Sequence, residues 1–131
     1  MIVVDTNVIA YLLLRGDFAS RAEAWWKDDR DWVAPMRWRS EFRNLLGGYL
    51  RRKQLTFETV REIQREAEAL LIGSEHEVDS QRVLELVRDS DCSAYDCEFV
   101  SVAMRLGVKL LTADGKVLKA FPTCTVAFSA A

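Results

Sequence analysis

Four acidic residues are spaced so that a parallel α/β fold would gather them. Asp5 directly follows Met1-Ile2-Val3-Val4, Asp114 follows Leu110-Leu111-Thr112-Ala113, and Glu41 and Asp96 lie between them on helical faces that are otherwise apolar. Runs such as Ile2-Val3-Val4 and Leu110-Leu111 read as strands buried on both faces, as in a parallel sheet covered by helices. A carboxylate just past such a strand stands at the sheet's carboxyl edge, where open α/β folds place their ligands. Two strand-end Asp residues helped by two helix acids would put four negative charges in one cleft. Carboxylates that close repel and raise one another's pKa values unless a hard cation neutralises them. The pattern implies a divalent metal.

Each acid also has a plainer reading. Asp5 is followed at once by the helical stretch Thr6-Asn7-Val8-Ile9-Ala10-Tyr11-Leu12, so it fits a helix N-cap, and Asp114 fits a turn or cap equally well. Asp96 completes a capping box, Ser93-Ala94-Tyr95-Asp96. Glu41 sits on an Arg-rich helix, where an ordinary ion pair with Arg37, Arg51 or Arg52 would serve.

Helical geometry sharpens the two inner acids. At about 100° per residue over 94–106, Tyr95, Phe99, Val102, Ala103 and Leu106 share an apolar arc, with Glu98, Ser101 and Arg105 opposite. Asp96 falls inside the arc beside Val100 and Ala103, and a carboxylate aimed at packed protein needs a partner. Its place in the first helical turn gives it some relief from the helix dipole. On the helix near 36–53, Trp38, Phe42, Leu45, Leu46 and Tyr49 form the stripe, and Glu41 lies on its shoulder next to Trp38 and Leu45.

Taken together, Val3-Val4-Asp5-Thr6-Asn7-Val8, Glu41, Ser93-Ala94-Tyr95-Asp96-Cys97 and Leu110-Leu111-Thr112-Ala113-Asp114 resemble a PIN domain. The chain is similar, more closely, to VapC-type toxins of type II toxin–antitoxin pairs, in the expected order over nearly its whole length. The resemblance implies a three-layer α/β/α sandwich with a parallel sheet of four or five strands. It also implies a Mg²⁺- or Mn²⁺-dependent ribonuclease whose acidic quartet is Asp5, Glu41, Asp96 and Asp114, and a small antitoxin that holds the toxin inactive. Thr112 matches the usual Ser or Thr two residues before the last Asp, while Cys97 replaces the small Ala common after the third acid.

The corresponding mechanism is metal-assisted hydrolysis of RNA phosphodiester bonds. Asp5, Asp96 and Asp114 would hold one or two Mg²⁺ ions. Glu41 would bind the second ion or orient the attacking water. Thr112 and Asn7 would hydrogen-bond metal-bound waters. No His, Ser or Cys arrangement offers a rival nucleophile, and there is no Gly-rich phosphate loop.

Length and composition fit. With 131 residues, half of them hydrophobic, the chain reads as a single domain spanning 1–131 that can bury a substantial core. No apolar run reaches the roughly 18 residues that cross a bilayer, and the N-terminus lacks a basic leader, so a cytoplasmic protein is expected. An odd count of 3 Cys argues against a disulfide framework and for reduced thiols at Cys92, Cys97 and Cys124. One His, His76, expected exposed between helices, and unpaired Cys spacing make a structural zinc site a poor fit.

The net charge of −2 lacks the basic excess usual in nucleic-acid binders. Discounting the four carboxylates leaves the rest near +2, and Arg37, Arg39, Arg43, Arg51, Arg52 and Lys53 crowd one helix and its end. Arg37, Arg39 and Arg43 read as a phosphate-contacting rim or, one by one, as a solvated helix face.

The expected elements are strands 2–5, 32–34, 108–112 and 123–128, an extended piece near 76–78, and helices 6–14, 18–29, 36–53, 56–72, 79–89, 94–106 and 115–120. Strands alternating with helices imply a parallel sheet with right-handed crossovers. Helix 56–72, with Phe57, Val60, Ile63, Ala67, Leu70 and Leu71 at helical spacing, reads as packed scaffold or the surface of a homodimer. Helix 6–14 and Trp25-Trp26 carry more apolar surface than one sheet easily buries, which marks a groove for an antitoxin helix or simply one partly exposed Trp. Two other functions fit the acids less well. A receiver-type phosphate protein wants paired early acids and a Lys after a late strand, whereas Asp5 stands alone and Lys109 falls inside its strand. A non-catalytic interaction module would not need acids at all four positions.

Overall fold

The computed structural model describes residues 1–130. Five parallel strands run β1 (Ile2–Val4), β2 (Trp32–Pro35), β3 (Glu75–His76), β4 (Leu110–Thr112) and β5 (Thr125–Ala127), in the order β3-β2-β1-β4-β5. Seven helices connect them: α1 (Thr6–Leu13) and α2 (Ala19–Asp28), α3 (Trp38–Arg51) and α4 (Phe57–Leu71), α5 (Ser80–Arg88) and α6 (Ala94–Leu106), and α7 (Gly115–Ala120). The result is the expected α/β/α sandwich with a five-stranded parallel sheet.

The strands form where the sequence is continuously apolar. Every residue of β1, β2 and β4 is buried, because helices cover both faces of the sheet. Chain direction along the sheet then decides which helix lies where. The connections β1 to β2 and β2 to β3 step one way, while β3 to β4 and β4 to β5 step the other way. Right-handed crossovers put α1–α4 on one face and α5–α7 on the opposite face. The turn after β1 therefore leaves toward one layer and the turn after neighbouring β4 toward the other, which opens a crevice between their carboxyl ends.

Helix boundaries follow local capping. Asp5 accepts the Val8 amide at 3.0 Å to start α1, Thr56 accepts the Thr59 amide at 3.2 Å to start α4, and Ser93 accepts the Asp96 amide at 3.1 Å to start α6. α6 ends at Gly107, whose φ of 68° suits a residue without a Cβ. α4 turns Val60, Ile63, Ala67 and Leu71 inward against α1, α3 and β2, which is the scaffold role.

Several details differ from expectation. α6 is buried nearly all round: Cys97, Phe99, Val100, Ser101, Val102 and Ala103 are all covered. The sheet takes one side and α5 packs along another, so Ser101 is not solvated and its hydroxyl instead donates to the Glu98 carbonyl at 2.8 Å. Tyr95, assigned by periodicity to the apolar arc, is exposed. β3 lies at 75–76 rather than 76–78, and His76 is a half-buried strand residue rather than an exposed linker. The register with β2 (Ala34 to Glu75, Pro35 to His76) sets this position. The last strand ends at Ala127, and Phe128 folds into the core through a 3₁₀ turn, Phe128–Ala130.

Trp25 and Trp26 are both half-buried, for different reasons. The Trp25 indole donates to the Phe128 carbonyl at 3.2 Å, and Trp26 meets the buried Trp32 ring edge-on at 5.2 Å. Adjacent helical positions thus both find packing, which leaves less surplus apolar surface than the sequence suggests. Among the described residues no helix is long and apolar enough to cross a membrane, and Cys92, Cys97 and Cys124 are free thiols.

Candidate metal and active site

The crevice between β1 and β4 is a cleft of about 280 Å³ lined by Asp5, Glu41, Asp96 and Asp114 together with Thr6, Asn7, Asn44 and Thr112. Its acids come from three sources. Asp5 and Asp114 project from the strand edge, Glu41 from α3 in one helical layer, and Asp96 from the first turn of α6 in the other.

Asp5 is the most constrained. Its Oδ1 caps α1 through the Val8 amide, and its Oδ2 accepts the Thr112 hydroxyl at 2.6 Å. The same Thr112 oxygen accepts the Asp114 amide at 3.0 Å. One buried hydroxyl thus ties two strand ends together and fixes two acids relative to each other. Asp114 in turn caps α7, accepting the Lys116 amide at 2.9 Å. Each cap fixes the orientation of its carboxylate. Thr112 holds the Asp5 carboxylate directly.

Glu41 accepts the Thr6 hydroxyl at 2.8 Å, and Arg37 Nε lies 3.8 Å from its other oxygen. Thr6 was not assigned a role from sequence; its position right after Asp5, at the start of α1, is the signal that would have found it. Asn44, one turn beyond Glu41, is a second unassigned residue lining the cleft. A third is Glu98. It was placed on the outer face of its helix, yet it is half-buried, and burial raises its carboxyl pKa, with Arg37 lowering and Glu41 raising it.

Electrostatics mark Asp5 as a charge without a cation. Burial pushes its carboxyl up to about 6, the bonds from Thr112 and Val8 lower it, and the charges on Glu41 and Asp114 raise it. The donor set suits a hard divalent ion in kind: carboxylate oxygens, an amide and hydroxyls, with no His or Cys. Among the described residues no three His, Cys, Asp or Glu side chains converge closely enough to grip an ion as they stand. Like charges facing one another across an open cleft favour such a splay.

The three arginines expected at an RNA rim have different surroundings. Arg39 is engaged: Nε and Nη2 fork onto Glu75 at 2.6 and 2.7 Å, and Nη1 reaches Glu68 at 3.1 Å. Arg43 is exposed on the groove between α3 and α4. Arg37 lies at the cleft's edge beside Glu41.

Comparison with known proteins follows the same lines. The family model for the PIN domain matches residues 2–121. Among solved structures, the chain is similar to the crystal structure of FitAcB from Neisseria gonorrhoeae, with TM-score 0.77 and 19% identity over 98% of this chain and 99% of that one. It is also similar to FitAB bound to an IR36 DNA fragment, with TM-score 0.73 and 20% identity over 98% of this chain and 95% of that one. Comparison with curated proteins finds no match. The match takes in four of the five strands and all seven helices, and the chain belongs to the PIN-domain family.

Proposed function

We propose that this PIN domain is a metal-dependent endoribonuclease that acts in the cytoplasm as the toxin of a toxin–antitoxin pair. The observation that carries the reading is the Asp5–Thr112–Asp114 linkage, two strand-end acids held side by side by one hydroxyl in a cleft whose other acids are Glu41 and Asp96. Such a site attracts a cation, and PIN domains generally are nucleases.

Asp5, Asp96 and Asp114 would hold Mg²⁺ or Mn²⁺, with Glu41 binding a second ion or orienting water. A bound divalent ion supplies a Lewis acid that acidifies water and offsets charge on a phosphodiester. The chain's own contribution is positional. Thr112 keeps Asp5 from rotating away, Thr6 holds Glu41 toward the cleft, and Asn7 lines its wall. Arg37 and Arg43 are the arginines of the α3 end suited to RNA, since Arg39 has spent its donors on Glu75 and Glu68.

The partners of this reading are an RNA substrate, a cognate antitoxin and a second copy of the chain in a homodimer. For the antitoxin, α1 supports a docking surface: Leu13 and Leu14 face a groove against Leu55 and Ile63, rimmed by Glu58, Glu62 and Glu66. Free thiols fit a reducing compartment.

Incubating the purified chain with labelled RNA in Mn²⁺ or Mg²⁺, and again in EDTA, tests the proposal. Cleavage that needs metal and vanishes in Asp114→Asn is expected. A wild-type chain that leaves RNA intact in millimolar metal would instead mark a non-catalytic interaction module.

A further inference from the structure

Two features of the cleft's edge are unexplained by the metal site. Tyr95, the second residue of α6, exposes 52% of its surface although it neighbours Asp96. The Arg37 guanidinium lies over that ring, with Cζ 3.4 Å from the centroid. Its Nε is buried and makes no hydrogen bond, and its ion pair with Glu41, at 3.8 Å, is too long to be one. The guanidinium is held by stacking and by charge, from Glu41 and from nearby Glu98.

Arg39, two residues along, shows what a committed arginine looks like: two short bonds to one carboxylate and a third to another. With Nε buried, the donors that Arg37 keeps in reserve at the mouth of an acidic cleft are its two terminal nitrogens. The proposed metal would offset the repulsion at the phosphate that is cut, and a cation at the mouth would offset it for the neighbouring phosphates of a polyanionic substrate. An Arg fork is suited to two oxygens of one phosphate, and a stacked fork loses little freedom on binding them. Leaving Glu41 for a phosphate breaks no hydrogen bond.

Resting on the ribonuclease reading, we propose that Arg37, held by Tyr95, binds an RNA phosphate flanking the one that is cut. Tyr95 is the positioning residue. Its ring face, rather than its hydroxyl, does the positioning, so Phe should replace it and Ala should not. The alternative is that the stack only pins the start of α3 to α6.

The test uses the full chain and a short labelled single-stranded RNA of mixed sequence. Affinity is read in EDTA by fluorescence anisotropy over a range of salt, steady-state cleavage is read in Mn²⁺, and thermal melting is followed for each variant. Arg37→Gln is expected to weaken affinity and raise KM about tenfold, with kcat little changed. It should flatten the slope of log affinity against log salt by about 0.7, the loss of one phosphate contact on a single strand. Arg37→Lys should keep the slope and lose part of the affinity, because charge remains without the fork. Tyr95→Ala should weaken affinity about threefold, with Tyr95→Phe restoring it. Wild-type affinity and salt slope in Arg37→Gln, whether or not melting falls, would overturn the subsite, as would equal damage from Tyr95→Phe and Tyr95→Ala. If the wild type binds RNA without cutting it in Mn²⁺, the nuclease reading fails and the affinity series still decides the subsite; if it cuts in Mn²⁺ without measurable binding in EDTA, the KM series decides it; if it does neither, both fail.

Discussion

Asp5 and Glu75 are both shielded carboxylates at the carboxyl side of the sheet, and their environments are opposite. Glu75, on edge strand β3, receives a two-pronged Arg39 and the Trp38 indole at 2.7 Å, and the Arg39 bond holds its pKa below the ordinary value. Asp5, between β1 and β4, receives a hydroxyl and an amide but no cation, and burial raises its pKa to about 6. Glu75 is satisfied within the fold and ties α3 to the sheet edge. Asp5 has no such partner, and the proposed metal would answer its charge. The difference teaches that a shielded acid is assigned by its partners and not by its depth.

The largest break in this comparison is functional. Asp5→Asn, Asp96→Asn and Asp114→Asn should each cut RNA cleavage by about 100-fold or more while the circular dichroism spectrum stays native. Near-normal cleavage by any one of them would remove that residue from the proposed site. Glu75→Gln should leave cleavage detectable and instead destabilise the fold by about 2 kcal/mol in urea titrations, since Arg39 and Trp38 lose a charged acceptor. A stability equal to wild type would show that the Arg39 fork contributes little.

The two acids should also respond to pH in opposite senses. Asp5 has a folded pKa raised above the ordinary carboxyl value of 3.8, so the folded state holds the proton longer than the unfolded one. Its contribution is fully present below about pH 4 and is lost as pH rises through about 6. Removing that charge in Asp5→Asn should therefore stabilise the metal-free protein at pH 8 by about 1–2 kcal/mol, after allowing for partial solvent access. The lowered pKa of Glu75 works the other way, adding stability above the unfolded carboxylate range and losing it in acid. Denaturant midpoints from pH 4 to 8 decide the matter; an Asp5→Asn midpoint below wild type at pH 8 would contradict the assignment.

A smaller effect separates the sites by ligand. Millimolar Mn²⁺ or Mg²⁺ should raise the melting temperature by a few degrees, through binding to the folded state alone. Asp114→Asn should shrink that rise and Glu75→Gln should leave it whole, so a metal-indifferent wild type would remove the cation from the picture. The smallest effect expected is from Glu58→Gln. Its pair with Arg61 is solvent-exposed on both sides, and its loss should stay within about 0.5 kcal/mol in the same titrations. A larger loss would mean that α4's outer charges form a network.

Much of the site was legible because it is local. Asp5 and Asp114 follow continuous apolar strands and are also the first capping residues of the next helices, so strand end, turn and cap are written in adjacent residues. Asp96 and its Ser93 cap are legible for the same reason. The misjudged residues all depend on a distant neighbour. Ser101 and Glu98 fall opposite the apolar arc because periodicity reports one apolar face of α6 and is silent about α5 and Arg37 arriving on the others. Arg39 and Arg37 look alike in the sequence, and what separates them is Glu75, 36 residues further on in an edge strand of two residues.

The sequence by itself determined the strands, the helices with their caps, the four acids and their order along the chain, because each follows from side chains within a few residues of one another. The tertiary structure alone decided the strand order β3-β2-β1-β4-β5 and hence the crevice between β1 and β4. It also decided the Thr112–Asp5 bond across 107 residues, and which arginine pairs with Glu75 and which lies over Tyr95. Those outcomes depend on which surfaces exclude water together. Periodicity shows that a face is apolar; only packing shows what covers it.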